Sequence, residues 1–153
     1  DAFWLATDDG LLRGKMSGGT FQLEERFTDA DGLLSLQVWS VTEGPHGGIW
    51  VGYLGMAAGV TRLKDGVATS FQEKGGLASP IVWSITVAGP SVWFWTAAGV
   101  SRFDGESWYS YPVASDANRV VSPVFASKRE RDSILIGTLG RGALRPDLGF
   151  RLQ

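Results

Sequence analysis

The chain has 153 residues, 44% hydrophobic and 20% charged, which is typical of one folded globular domain. The formal net charge of −2 gives no electrostatic basis for binding nucleic acid, and no apolar run is long enough for membrane insertion. With no cysteine and a single histidine, His46, the chain lacks disulfides, thiol nucleophiles and a good zinc ligand set. We therefore expect no metal and no other cofactor.

The first element is a partial repeat, FWLATDDGLLRGKMSGGTFQLEERF, which predicts three strands separated by Gly-bearing turns. It lacks the innermost strand of the later repeats, because the chain begins inside the second strand. The first residues show no basic region, apolar core or cleavage signal of a targeting peptide, and no initiator Met. We expect a chain processed or excised from something longer.

The second repeat contains the strand-like segments VWSVTE, IWVGY, GVTRLK and ATSFQ. Each has about five residues, and together they are rich in β-branched and aromatic side chains. The segments GPHGG, LGMAAG and KDG between them are turns that join antiparallel neighbours. This pattern predicts a four-stranded meander.

Similar segments recur from Val82 and, more weakly, from Val124. A period of about 43 residues with four strands per unit is the signature of a β-propeller blade. The predicted fold is all-β, a β-propeller segment of about four blades forming one repeat domain. Its units are residues 1–32, 33–76, 77–118 and 119–153. Because about four blades form only an arc, a protein partner, further blades of the same chain or other copies are expected to cover its open faces.

The repeats resemble the two-component regulator propeller repeat, which reads roughly Gly-Leu-Pro-Ser, a Val- and Ser-containing strand, Asp-Gly, (L/I)WIGT and GLxRxD. The matching segments are residues 32–35, 38–41, 48–52, 59–63 and 65–66, then 76–79, 82–85, 92–94 and 99–105, and finally 134–138 and 142–145. The resemblance implies an extracytoplasmic, periplasmic or cell-surface, location. It also implies a role in ligand sensing by a membrane sensor kinase, often of glycans.

Three sets of residues raise chemical hypotheses that compete with structural ones. Arg62, Arg102 and Arg145 recur at one position, where a cation ring at a ligand competes with scaffold arginines bonded to carbonyls or turn carboxylates. Because every repeat keeps them, the scaffold role is favoured. The acidic turns at Asp8–Asp9, Asp29 and Asp31, and Asp104 and Glu106 suggest calcium, but Asp-Gly is first a turn signal. A general base at His46 has no partner, so a turn role is favoured.

The predicted binding site lies on the face formed by the turns between second and third strands and by the blade connections. Loops vary between repeats on a constant scaffold, and such loops carry function. This face offers residues of types that are common at contact surfaces: Tyr53, Leu54, Met56, Trp95, Asn118, Arg119 and Arg141. Trp95 stands out because the other repeats have Ala6, Gly52 and Gly137 at its position. We expect Trp95 to contact a ligand, and Trp50 and Trp93 to be core.

These features predict a non-catalytic recognition module that binds a protein partner or a small ligand, such as a glycan fragment, through loops on one face. One alternative is the glycan-sensing part of a two-component sensor. A second alternative is a propeller-fold lyase or hydrolase, which would have His46 as its single imidazole and no paired acid cluster. We therefore predict that the chain is not an enzyme.

Overall fold

A computed structural model describes residues 2–53, 58–112, 127–130, 133–138 and 142–144. Within these ranges the protein is all-β, and its helical structure consists of two short 3-10 turns, Asp29–Asp31 and Glu73–Gly75. The strands are β1 Phe3–Thr7, β2 Gly10–Ser17, β3 Thr20–Phe27, β4 Val38–Glu43, β5 Ile49–Tyr53, β6 Val60–Lys64, β7 Val67–Phe71, β8 Val82–Ala88, β9 Ser91–Thr96, β10 Gly99–Phe103, β11 Trp108–Pro112, β12 Ser127–Glu130, β13 Ser133–Thr138 and β14 Gly142–Leu144.

The strands form four antiparallel sheets in which spatial order follows chain order. The first blade is β1-β2-β3, the second β4-β5-β6-β7, the third β8-β9-β10-β11 and the fourth β12-β13-β14. The predicted propeller segment is confirmed, and its ring is not closed. The first sheet, for which a missing innermost strand was predicted, has three strands among the described residues. Of the four strands predicted in the fourth repeat, three are described, and the remaining segment lies outside the described residues.

Glycines start the third strand of each repeat because only they fit the backbone there. Gly59 has a φ of +90°, and a Cβ on it would lie 2.1 Å from the Phe71 carbonyl oxygen. Gly10, at the same position in the first blade, has a φ of +104° and would clash in the same way with the carbonyl oxygen of Phe27. L-residues rarely adopt this conformation, and a Cβ would collide with the next strand. These glycines therefore explain the recurring Gly-Val or Gly-Leu pairs.

Successive blades pack face to face through two apolar layers. Between the first and second blades, Leu11 packs with Ile49 and Val51, and Trp4 and Ala6 lie against this layer. Between the second and third blades, Trp50 packs with Val92 and Phe94. The second blade thus has a forward face, which meets the third blade, and a backward face, which meets the first, and we use the same two names for the corresponding faces of the other blades.

One edge of each sheet lies where neighbouring blades approach one another. The edge strands β1 and β4 are in contact, and so are β4 and β8. We call this side the axial edge, because in a propeller the first strand of each blade lies nearest the axis. No helix among the described residues has the length and apolar character needed to cross a membrane.

Candidate functional site

The repeated arginines stack on the repeated tryptophans. In each of the first three blades, an arginine lies directly across from a tryptophan of the adjacent strand. The strand pairs are β2 and β1, β6 and β5, and β10 and β9. The pairs, with the distance from the guanidinium carbon to the ring centroid, are Trp4 and Arg13 (5.8 Å), Trp50 and Arg62 (5.6 Å), and Trp93 and Arg102 (5.9 Å). Such cation–π contacts add roughly 0.5–1 kcal/mol each at exposed positions.

The same arginines also hold turns of the backbone. Arg62 donates to the carbonyl oxygens of His46, at 3.3 Å, and Gly47, at 2.9 Å. Arg102 lies 3.7 Å from the Asp104 carboxylate, which belongs to the turn after its own strand. The predicted scaffold role is confirmed for Arg62 and Arg102. Arg145 lies outside the described residues.

Carboxylates of two predicted acidic turns accept hydrogen bonds from their own backbone, whereas Asp9 in the third forms an ion pair with Arg26. Asp104 accepts from the backbone N–H groups of Ser107, at 2.9 Å, and Glu106, at 3.1 Å. Hydrogen bonds from these two N–H groups lower the pKa of the Asp104 carboxyl below its ordinary value. Asp31 accepts from the N–H of Thr28 at 2.8 Å. The turn interpretation is confirmed here, and the described residues contain no group of three or more potential metal ligands.

His46 joins two blades. Its Nε2 lies 2.6 Å from the carbonyl oxygen of Pro90, which belongs to the corresponding turn of the third blade. Since a carbonyl only accepts, this nitrogen must carry the proton. The predicted turn role of His46 is confirmed, with the addition that the side chain bridges neighbouring turns.

Tyr53, which was predicted to belong to the binding face, is buried in the structure. Its side chain is 2% exposed. Its hydroxyl donates to Thr61 Oγ1 at 2.7 Å and accepts from the N–H of Leu34 at 3.1 Å. Burial raises the pKa of this phenol. Tyr53 therefore anchors the connection between the first two blades to the backward face of the second.

Trp95, which was predicted to contact a ligand on the loop face, is also buried. It is 2% exposed, in a strand whose every residue is buried. Its indole N–H has no hydrogen-bond partner among the described residues. The ring is therefore a packing element of the third blade in this arrangement. The other five predicted site residues lie outside the described residues: Leu54, Met56, Asn118, Arg119 and Arg141.

The second repeat has Gly52 at the position of Trp95. A Cβ on Gly52 would lie 2.6 Å from Ser40 Oγ of the same blade and 3.4 Å from Ile85 Cδ1 of the next blade.

Two tryptophans that sequence reasoning left aside lie on the axial edge. Trp39 in β4 and Trp83 in β8 occupy the same position of their repeats, at a β-bulge where the pairing register shifts. Trp39 is 53% exposed. Trp83 is partly buried, and its indole N–H has no hydrogen-bond partner among the described residues. The recurring Val-Trp-Ser segment was the signal for this pair, because bulges often re-aim a side chain at functional sites.

Two of the polar groups considered above make contacts within the scaffold. The His46 imidazole bonds the neighbouring turn, and the Asp104 carboxylate accepts N–H groups of its own turn. An exposed indole offers a large rigid surface with one hydrogen-bond donor, a combination enriched at contact surfaces. We therefore take the axial edge, represented by Trp39 and Trp83, as the candidate binding site.

Neither a protein-family model nor a curated protein matches the chain. Solved structures do match it in fold. One is the extracellular domain of BT4673 from B. thetaiotaomicron, described as a hybrid two-component system, with a TM-score of 0.73 and 14% identity. This match covers 98% of the present chain and 23% of that chain. A second is the extracellular domain of BT3049 from the same organism, with a TM-score of 0.67, 21% identity and coverages of 99% and 20%.

A third similar structure is PorZ from Porphyromonas gingivalis, described as an essential bacterial surface component of the type-IX secretion system. Its TM-score is 0.60 at 12% identity, and the match covers 98% of the present chain and 22% of that one. The chain thus spans about a fifth to a quarter of the length of these structures. At such identities the similarity shows a shared fold alone.

Proposed function

We propose that this chain is an extracytoplasmic recognition module that binds a protein partner or a small ligand without chemical conversion. The observation that carries the proposal is the 53% exposure of Trp39 at a repeated bulge of the axial edge. Leaving so large an apolar ring in water is costly, and contact with a partner would recover that free energy. The likeness to extracellular domains supports the location.

A second candidate is the sensing part of a two-component system, with a glycan as its ligand. The likeness of the fold to extracellular domains described as belonging to such systems favours this candidate. In both candidates the indole of Trp39 forms part of the contact surface.

The test compares wild-type protein with Trp39→Ala. Tryptophan fluorescence and calorimetry would be measured during titration with soluble neutral and uronic-acid oligosaccharides, and in parallel with bacterial envelope proteins purified after capture on the immobilised chain. We expect at least one ligand to bind the wild type and to lose about tenfold or more in affinity with Trp39→Ala. The matched control is Val67→Ser, because Val67 is exposed on an outer strand.

Thermal unfolding separates a binding effect from a folding effect. Since Trp39 is exposed, Trp39→Ala is expected to change the free energy of unfolding by no more than about 0.5 kcal/mol. Equal binding by wild type and Trp39→Ala in both arms would contradict the proposed site. Release of hydrolysis or elimination products from an oligosaccharide by the wild type would contradict the non-catalytic assignment.

A further inference from the structure

An exposed glutamine lies beside the exposed tryptophan of the axial edge. Gln37 directly precedes β4, and Trp39 follows two residues later. Two residues of chain span at most about 7 Å, so one ligand can contact both side chains. In the part of the chain that the structure describes, Gln37 forms a hydrogen bond through its backbone N–H and none through its carboxamide. The carboxamide is therefore free to bond a ligand that lies against the indole.

The backbone around Gln37 is held firmly. Its N–H donates to Ser35 Oγ at 3.1 Å. The carbonyl oxygen of Leu36 accepts from the N–H of Val38, at 2.9 Å, and from the N–H of Gly10, at 2.7 Å. Because Gly10 belongs to the first blade, the segment is fixed to two blades at once. A contact residue on such a rigid support loses little conformational entropy when a ligand binds.

The third blade has the same hydrogen bonds around a different side chain. The N–H of Ile81 donates to Ser79 Oγ at 3.2 Å, and the carbonyl oxygen of Pro80 accepts from the N–H of Gly59 at 2.8 Å. Ile81 thus occupies the position of Gln37 in an equivalent backbone arrangement, where it is partly buried whereas Gln37 is exposed. The tryptophans that follow differ in exposure in the same sense. The local backbone therefore does not require a carboxamide.

The chemistry of a carboxamide defines the ligand group that suits this position. Its oxygen accepts and its nitrogen donates hydrogen bonds, and it carries no charge. A group that presents one donor and one acceptor side by side satisfies both atoms. Paired hydroxyls of an oligosaccharide and the backbone amides of a peptide share this property. We propose that Gln37 is a specificity-determining residue that binds such a donor–acceptor group while Trp39 contacts the adjoining apolar surface, an inference that rests on the proposed function.

The test measures calorimetric affinities of the whole chain for two pairs of probes. One pair is maltohexaose and its fully O-methylated form, and the other is a capped Gly-Leu-Gly-Leu-Gly peptide and its N-methylated form. Methylation removes the donors and keeps the acceptors. We expect the wild type to bind at least one parent probe, and to bind its methylated form at least about tenfold more weakly. The parent probe that binds identifies the source of the donor–acceptor group.

The deciding variant is Gln37→Ile, which introduces the residue of the third blade. We expect it to bind the parent probe at least about tenfold more weakly than the wild type and no better than the methylated form. Gln37→Glu keeps the shape and loses the donor, so a similar loss is expected. Gln22→Ile makes the same change at an exposed position of β3 and is expected to bind like the wild type. Thermal unfolding of Gln37→Ile should match that of the wild type.

The outcomes separate this proposal from the proposed function. If Gln37→Ile binds the parent probe as tightly as the wild type does, while Trp39→Ala loses binding, the role of Gln37 is wrong and the site at Trp39 stands. Equal affinity of the wild type for parent and methylated probes overturns the role of Gln37 as well, and so does absence of binding to both parent probes. The proposed site itself fails separately, when Trp39→Ala binds its ligand as tightly as the wild type.

Discussion

β1 of the first blade and β9 of the third blade occupy the same position in their repeats but lie in different environments. β9 is buried along its whole length, whereas β1 alternates between exposed and partly buried residues. Both strands are paired on their outer side with the next strand of the sheet, in matching register. The sheets are alike, so the difference in burial comes from what lies beside them: β9 has β8 at its axial edge and the second blade on its backward face.

This comparison shows that the blade interface, more than the sheet, is the stabilising unit. A four-stranded meander can satisfy its backbone hydrogen bonds alone, but it has two apolar faces to remove from water. The aromatic cluster around Trp50 forms when the second and third blades meet, through contacts with Phe94, Phe103 and Trp108 of the third blade. Truncation of a residue at such an interface should lower the free energy of unfolding strongly. Truncation of an equivalent residue in the first blade should lower it less.

Of the changes considered, truncation of Trp50 is expected to lower the free energy of unfolding most. Its indole is 1% exposed and contacts four aromatic rings, so Trp50→Ala is expected to lower the free energy of unfolding by about 4–5 kcal/mol. The matched variant is Trp4→Ala in the first blade, where the ring is partly buried and packs against Phe27. We expect roughly half the loss there. Urea unfolding checks both values, and equal losses would show that position in the sheet outweighs the blade interface.

Substitutions of Trp95 distinguish a role in packing from a role in ligand contact. Trp95→Ala is expected to cost about 3 kcal/mol, since the buried volume is lost. Trp95→Phe keeps most of the ring and removes the indole N–H that has no partner among the described residues, so it is expected to cost less than about 1 kcal/mol. Thermal and urea unfolding measure both. A Trp95→Ala variant as stable as the wild type would contradict the packing role and favour the sequence-based prediction of a ligand contact.

The sequence predicts the fold well because period and strand pattern are local signals. Of the four strands predicted in the second repeat, β4 and β5 begin and end at the predicted residues, and the other two deviate by one residue. The predicted core role of Trp50 and Trp93 is confirmed, and these residues lie across from the recurring Arg62 and Arg102. These features repeat, so comparing the repeats reveals them.

Predictions of site residues are weaker because burial between blades depends on distant neighbours. Tyr53 and Trp95 are residue types common at contact surfaces. Other repeats have small or polar residues at these two positions. The sequence does not show that the Tyr53 hydroxyl reaches the Leu34 N–H, or that Trp95 is buried. Trp39 escaped notice for the opposite reason, since a residue that recurs in two repeats looks like scaffold until its exposure is known.

The smallest expected effect concerns the buried phenol of Tyr53. Tyr53→Phe leaves the Leu34 N–H without its acceptor and is expected to cost about 1–3 kcal/mol at neutral pH. Burial raises the pKa of Tyr53, so the folded state favours the neutral phenol. Its contribution is complete below about pH 10, the ordinary tyrosine pKa, and is lost as pH rises through the raised value in the folded protein.

The wild type should therefore lose stability more steeply than Tyr53→Phe above about pH 10, and the two curves should run parallel below it. Urea unfolding at a series of pH values measures this difference. Tyr109→Phe is the matched control, because Tyr109 is an exposed tyrosine of the third blade. If Tyr53→Phe and wild type keep a constant difference through the alkaline range, the phenol is ionising as freely in the folded protein as in the unfolded chain. That result would place Tyr53 at the loop surface, where the sequence alone had predicted it, and not in the layer between the first two blades.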